Sequence, residues 1–300
     1  MAEGKTRRAR GAALKRGLLI LCLLALCLSA VSCRIQRQQD NWNEHREHSQ
    51  ETSGWDEHNH EHEEMHENIE PPDLHSDWTG HHLPATRSPA HRRKLELSVQ
   101  LPKGASKSIG KAYEGRLENG VYLPPKGPGW KRFSKDKFAY GTQETVQALV
   151  LAFAEVSERY PGTVAVTVGK LSRNRGGPVR PHKSHQSGRD ADVGYFVQEN
   201  GNQKRFRPTK AKSIDAEKTW ALLEAMMRYG KVQYVFVDYA LQKPLKAAAE
   251  DAGWSEEAVT NLFQYPRGKR AKGVFRHSPG HHNHFHIRFA CAATDGTCID

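Results

Sequence analysis

"HFHIRF", residues 284–289, alternates a histidine or arginine with a phenylalanine or isoleucine. Successive side chains of a strand point to opposite faces, so His284, His286 and Arg288 share one face and Phe285, Ile287 and Phe289 share the other. The apolar face can pack into a core while both imidazoles look into a cleft. Upstream, strands and helices alternate in a way that would also suit a parallel sheet. The long loops and this terminal strand favour α+β architecture instead, a mainly antiparallel sheet flanked by helices and long loops.

Working back from the terminal strand, Ser255 is placed to cap a short helix running to Phe263, and "VQYVFV" (232–237) reads as an apolar strand. Asp215 can cap a helix carrying Trp220, Leu223, Met226 and Met227. Residues 189–196 alternate again, with Asp190, Asp192 and Gly194 on one side and Ala191, Val193 and Tyr195 on the other. "LSRNRGGPVRPHK" reads as a long loop, and Val164, Val166 and Val168 mark a strand before it. Thr142 resembles an N-cap, followed by Val146, Leu149, Val150, Phe153 and Val156 at helical spacing up to "YPG". "SIG" (108–110) and "LPPKGPGW" (123–130) suggest an irregular opening layer. The folded part is therefore expected over residues 98–300.

Residues 34–97 differ in kind. They are poor in aliphatics, and ten of the seventeen histidines fall between 34 and 93. Such a segment buries too little apolar surface to offset its ordering entropy, so it reads as a disordered His/Glu-rich tether. Its histidines could hold metal loosely, or simply solvate a spacer. Residues 1–33 open with six basic residues and continue into an apolar run from Leu18 to Val31, short for a membrane span and ordered like a secretory signal. "LSAVSC" resembles a lipoprotein cleavage box that would place lipid on Cys33 and tether the chain to a membrane; a plain cleaved signal or an uncleaved anchor are the alternatives. The expectation is an exported, periplasmic, membrane-tethered protein. In an oxidising compartment Cys291 and Cys298 most simply pair, two free thiols being the alternative.

The net charge of +11 is unevenly spread: +5 over residues 1–33, −7 over 34–93 and +13 over 94–300. A basic body suits an anionic polymer, and export argues against nucleic acid as that partner.

The chemistry lies in two clusters. "HKSHQSGRDADV" (182–193) holds His182, His185, Asp190 and Asp192, and the terminal strand holds His284 and His286. His185, Asp192 and His286 could supply two imidazoles and a carboxylate, and three N/O ligands with a fourth position open describe a catalytic zinc site. Asp190 faces the same way as Asp192, although one carboxylate suffices. The plain alternative is polar loop residues beside a hydrogen-bonded histidine on an edge strand. No HExxH glutamate is present, so another group must move protons; His284, on the same strand face as His286, has a suitable position and intrinsic pKa. His182 and His281 could steady an oxyanion, orient ligands, or serve only as structural hydrogen-bonding groups.

"SHQSGRDADV" followed much later by "GHHNHFHIRFAC" resembles the penicillin-insensitive murein endopeptidases, in the zinc metallopeptidase group of lysostaphin, D-Ala-D-Ala peptidases and hedgehog-type domains. The group pattern of His, six residues, Asp and a distant His-x-His is matched by His185, Asp192, His284 and His286. The narrower pattern adds a histidine three before the first ligand and another three before the pair, matched by His182 and His281. "SIG", "GPGW", "LSRNRGGP", Cys291 and Cys298 also resemble family features, and the similarity runs over roughly residues 105–298. Ser278 stands where an aromatic residue is usual. The resemblance implies a hedgehog/D-Ala-D-Ala-peptidase-like fold, Zn2+ on His185, Asp192 and His286, and His284 as acid/base with His281 and His182 beside it. It implies peptidoglycan as substrate, cut at the D-alanyl-diaminopimelyl amide. A D-Ala-D-Ala or L,D-type wall peptidase, or a non-enzymatic metal-binding wall lipoprotein, are the competing readings.

Overall fold

The computed structural model describes residues 89–98, 103–198 and 204–300. The expected signal segment, Cys33 and the expected tether as far as residue 88 lie outside the described residues. Among the described residues no helix is long and apolar enough to cross a membrane.

Among the described residues, five α-helices and a seven-stranded mixed sheet make up the framework. Helix α1 (Pro89–Ser98) falls in the stretch assigned to the end of the tether; its Leu95 is buried in the core and its Lys94 ion-pairs with Glu158. An antiparallel hairpin, β1 (Lys107–Lys111) and β2 (Glu114–Glu118), and short strands β3 (Val121–Tyr122), β4 (Lys126–Gly127), β5 (Trp130–Arg132) and β6 (Tyr140–Gly141) form the opening layer. Helix α2 (Gln143–Arg159) begins at Thr142, whose hydroxyl accepts from the Thr145 N–H, a cap worth about 1 kcal/mol. Strands β7 (Val166–Val168) and β8 (Asp190–Gly194) follow, then helix α3 (Ala216–Tyr229), capped by Asp215 as its sequence suggests. Val164 stays outside β7. The chain ends with β9 (Val232–Val237), α4 (Tyr239–Asp251), α5 (Glu256–Leu262), β10 (Phe275–His277) and β11 (His284–Phe289). Ser255 caps α5 through the Ala258 N–H.

The main sheet has the order β10-β9-β11-β8-β7-β5-β4. Its β10–β9 and β5–β7 pairs are parallel and the other four antiparallel, in line with the α+β expectation. Strand β11 lies between β8 and β9, with His284 opposite Gly194, His286 opposite Asp192 and Arg288 opposite Asp190. One sheet face is closed by α2 and α3: Phe285 and Ile287 join Leu149, Phe153, Leu222 and Leu223 in a single core. Full burial of each such side chain contributes about 2 kcal/mol. The opposite face carries the histidines and aspartates of β8 and β11.

Beyond β11, Cys291 and Cys298 form a disulfide. The tail returns along β1, where Gly110 bridges Cys298. Buried Arg189, one residue before β8, fastens the end of the chain by donating to the Phe289 carbonyl (3.0 Å), the Ile299 carbonyl (2.8 Å) and Asp300 Oδ1 (2.6 Å).

Candidate metal centre

Asp192 lies at the middle of the site. It is 2% exposed, and burial of a carboxylate demands compensating partners. Its Oδ1 stands 3.2 Å from His185 Nε2, 3.4 Å from His286 Nδ1 and 3.6 Å from His284 Nε2, and its Oδ2 stands 3.9 Å from His182 Nε2. Two ligands at about 2.0–2.1 Å from one tetrahedral zinc ion are roughly 3.4 Å apart, so this spacing suits a shared cation. The donor atoms of His182, His185 and Asp192 lie within 4.8 Å of one another and form a group able to hold a metal ion.

The second nitrogens of two rings are already engaged. His185 Nδ1 donates to the Leu171 carbonyl at 3.0 Å, which leaves Nε2 as the acceptor facing Asp192. His286 Nε2 donates to Asp190 Oδ1 at 2.8 Å and turns Nδ1 toward Asp192. A hydrogen bond on one ring nitrogen fixes which nitrogen is offered to a metal. His185 adopts a left-handed φ of 64°, a conformation that costs a non-glycine residue about 1–3 kcal/mol. It is held there from both sides, its N–H donating to Asp190 Oδ2 (3.0 Å) and its carbonyl accepting from the Ser172 hydroxyl (2.6 Å). Nearby Gly188, at φ 81°, allows Leu117 to approach; a Cβ there would meet its Cδ1 at 2.7 Å.

Asp190, which strand alternation places beside Asp192, has a structural task. Fully buried, it accepts from His286 Nε2, from Arg288 Nε at 2.8 Å and from the His185 N–H, so it ties both histidine-bearing segments together. Burial opposes ionisation of Asp190, but Arg288 and His286 outweigh it and hold the carboxyl well below the usual range. Asp192 is likewise held low, by His185 and then His286, against the cost of burial. Burial also works against a charged His286, yet Asp190 and then Asp192 raise it to about 9. Two buried carboxylates thus face one guanidinium, and the balance calls for one more positive charge, met by a proton on His286 or by a metal ion. The donor set fits a divalent cation.

His284 is placed otherwise. Burial lowers it to about 4 despite Asp192, so it is neutral at pH 7, and its Nδ1 hydrogen-bonds with Asn283 Oδ1. Phe206 stacks on its ring, with centroids 4.6 Å apart and planes 7° from parallel. Gly169 makes room for that phenylalanine, since a Cβ there would meet Cζ at 2.7 Å. His281 lies 4.9 Å from His284 and 6.0 Å from His286, centroid to centroid, and Tyr195 Oη donates to its carbonyl at 2.8 Å. Burial lowers both His281 and His182 to about 3. An aromatic surface beside His281 comes from Phe236 on β9, which also meets His286 edge-on at 5.3 Å. All six residues singled out from the sequence, His182, His185, Asp192, His281, His284 and His286, therefore meet on one face of the sheet. Asp190, Phe206, Phe236 and Asn283 complete the surroundings. Strand alternation pointed to Asp190, whereas Phe206, in a loop far along the chain, left no sequence signal.

A relative described as a penicillin-insensitive murein endopeptidase, from Haemophilus influenzae, is 25% identical over 234 residues, covering 72% of this chain and 74% of its own. The family model for penicillin-insensitive murein endopeptidase matches residues 108–260, more than half of the chain and inclusive of His182, His185, Asp190 and Asp192. The chain belongs to the penicillin-insensitive murein endopeptidase family.

Proposed function

We propose that the chain is a zinc-dependent murein D,D-endopeptidase that hydrolyses the D-alanyl-diaminopimelyl amide cross-linking peptidoglycan. The observation that carries this reading is the set of three imidazole nitrogens gathered 3.2–3.6 Å from the buried Asp192 carboxylate, each ring fixed by a hydrogen bond on its other nitrogen. His185, Asp192 and His286 are the ligands: each imidazole presents one lone pair to the shared position, and Asp192 supplies the negative charge. A zinc ion there would act as a Lewis acid on the scissile carbonyl and activate water. His284, neutral and beside that position, takes the proton from the attacking water and passes it to the departing amine. His281 lies against both strand histidines; its Nδ1 donates to the Ser278 and Pro279 carbonyls, so the neutral ring offers Nε2 as an acceptor that can orient water or a substrate N–H. His182 stands at 3.9 Å from Asp192 and is more open than His185, its side chain 27% exposed, which suits a group that meets substrate. Its membership of the compact group with His185 and Asp192 favours one competing assignment, His182 as a ligand in place of His286. Its weaker anchoring argues for His286. The basic body and an exported, lipid-tethered location on Cys33 fit a polymeric anionic substrate in the cell wall.

The test is digestion of purified peptidoglycan by the full chain, zinc-loaded or treated with chelator, with fragments identified by mass spectrometry. D,D-linked dimers converted to monomers only with zinc are the expected result. Dimers that survive the zinc-loaded protein overturn the reading, and release of single D-alanine or L,D-cut fragments reassigns the bond.

A further inference from the structure

The metal centre continues sideways along the sheet. Asp192, His286, Phe236 and Arg276 are successive Cα partners across β8, β11, β9 and β10. Partners in register direct their side chains to the same face, so Arg276 on edge strand β10 belongs to the face that carries the histidines. Two strand spacings of about 4.8 Å place its backbone roughly 10 Å from that of His286.

Its guanidinium is held in place. The Cζ lies 3.8 Å from the Tyr234 ring centroid, and Nε donates to the Gly273 carbonyl at 3.1 Å. Stacking over an aromatic face and one bound edge leave the terminal amino groups of the fork with a fixed heading. Neighbouring Arg288 lies 5.5 Å over Phe236 and is matched to Asp190. No acidic side chain forms a salt bridge with Arg276 among the described residues. Burial lowers its pKa from the ordinary value; Tyr234, which also hydrogen-bonds with it, acts in the opposite direction, and Arg288 close by adds to the lowering.

We infer that Arg276, braced on Tyr234, is the subsite that recognises a free carboxylate of the cross-linked peptide, about three residues from the bond that is cut. The distance fits: an extended peptide advances about 3.3 Å per residue, so 10 Å spans three. The chemistry fits as well, because a planar guanidinium binds a carboxylate through two parallel hydrogen bonds, which a carboxamide cannot reproduce. Phe236, between the two positions, offers an apolar floor for the intervening chain. The inference rests on the murein-peptidase reading for its substrate class, while its geometry is independent of the metal.

The experiment uses cross-linked muropeptide dimers as free acids and as the same dimers with every carboxylate converted to carboxamide. Binding is measured on the metal-free full chain by calorimetry, and kcat/KM on the zinc-loaded chain. The wild type should prefer the free acid by about ten- to a hundredfold in both measurements. Arg276→Ala should bring the free acid down to the amide's level and leave the amide within twofold, with Arg276→Lys in between. Equal treatment of the two forms by the wild type overturns the inference, and so does an Arg276→Ala loss that is equal for both forms. Failure to cut either dimer while the binding preference persists counts against the endopeptidase reading and leaves the carboxylate subsite supported.

Discussion

Replacement of Asp190 by asparagine is the substitution that most directly probes how the metal centre is built. Oδ1 of Asp190 accepts from both His286 Nε2 and Arg288 Nε, and Oδ2 accepts from the His185 N–H. An asparagine of the same shape keeps one acceptor oxygen and presents an NH2 group where the other stood. If the oxygen serves His286 and Arg288, the amide donors confront the His185 N–H; if it serves His185, they confront the imidazole and guanidinium. Either way a buried donor loses its acceptor, and Arg288, 8% exposed, loses its counter-charge. Breaking one side of a buried ion pair costs about 3–5 kcal/mol. Loss of the group that orients a ligating histidine typically lowers metal affinity 10–100-fold, about 1.4–2.7 kcal/mol. The full chain carrying Asp190→Asn should therefore melt well below the wild type when metal-free, and its zinc Kd, from competition against a chelator, should rise by one to two orders of magnitude. Peptidoglycan hydrolysis should recover in part when excess zinc is supplied, because the ligands themselves remain. A zinc Kd within twofold of the wild type would refute the claim that Asp190 holds His286 and His185 in position.

Two further outcomes follow from the same geometry. His286 is raised to about 9 by Asp190 and Asp192 against the effect of burial, so at pH 7 the metal-free ring carries a proton on Nδ1 that a metal must displace. Zinc affinity should climb as pH rises toward about 9, and calorimetry at pH 7 in buffers of differing ionisation enthalpy should report about one proton released per ion; release of none would remove His286 from the ligand set. Phe206→Ala removes the ring stacked 4.6 Å from His284 and should cut kcat at least tenfold while zinc affinity stays within about threefold, with Phe206→Tyr restoring most of the rate. Unchanged kcat would show that His284 needs no aromatic support.

Much of the scaffold could be read from side-chain period alone. The terminal strand, the 232–237 strand and the caps at Thr142, Asp215 and Ser255 are short-range patterns, and local physics decides them. What escaped is non-local or disguised. Helix α4 contains Pro244, which removes a backbone donor and reads as a break, yet Leu241, Leu245 and Ala249 recur four apart and anchor it in the core. Strand β10 has only three residues and takes its identity from parallel pairing with β9. Helix α1 is polar along most of its length and is secured chiefly by Leu95 and by Glu158 on α2, neither visible as a pattern in a His/Glu-rich neighbourhood. At the site, Asp190, Asp192, His284 and His286 declared themselves through alternation, and His182 and His185 by their crowding just before the Asp190–Gly194 strand. Phe206 depends on the empty space over Gly169, which no reading of spacing can reveal.

The register between β8 and β11 connects these strands and is the step on which fold and chemistry cannot be separated. His286 faces Asp192 because Ile287 and Phe285 face the core with Ala191 and Val193. A slip of one residue would turn phenylalanine and isoleucine toward the cleft and bury both imidazoles among the leucines of α2 and α3. Apolar burial on one side of the sheet thus enforces the polar arrangement on the other, at a stability cost concentrated in Asp190 and Asp192. Arg288 offsets one of those charges permanently, and Arg189, next to Asp190 in sequence, ties the start of β8 to Ile299 and Asp300. The remaining negative charge can be met by a proton or by a metal ion, and that choice is what couples the fold to pH and to its cation.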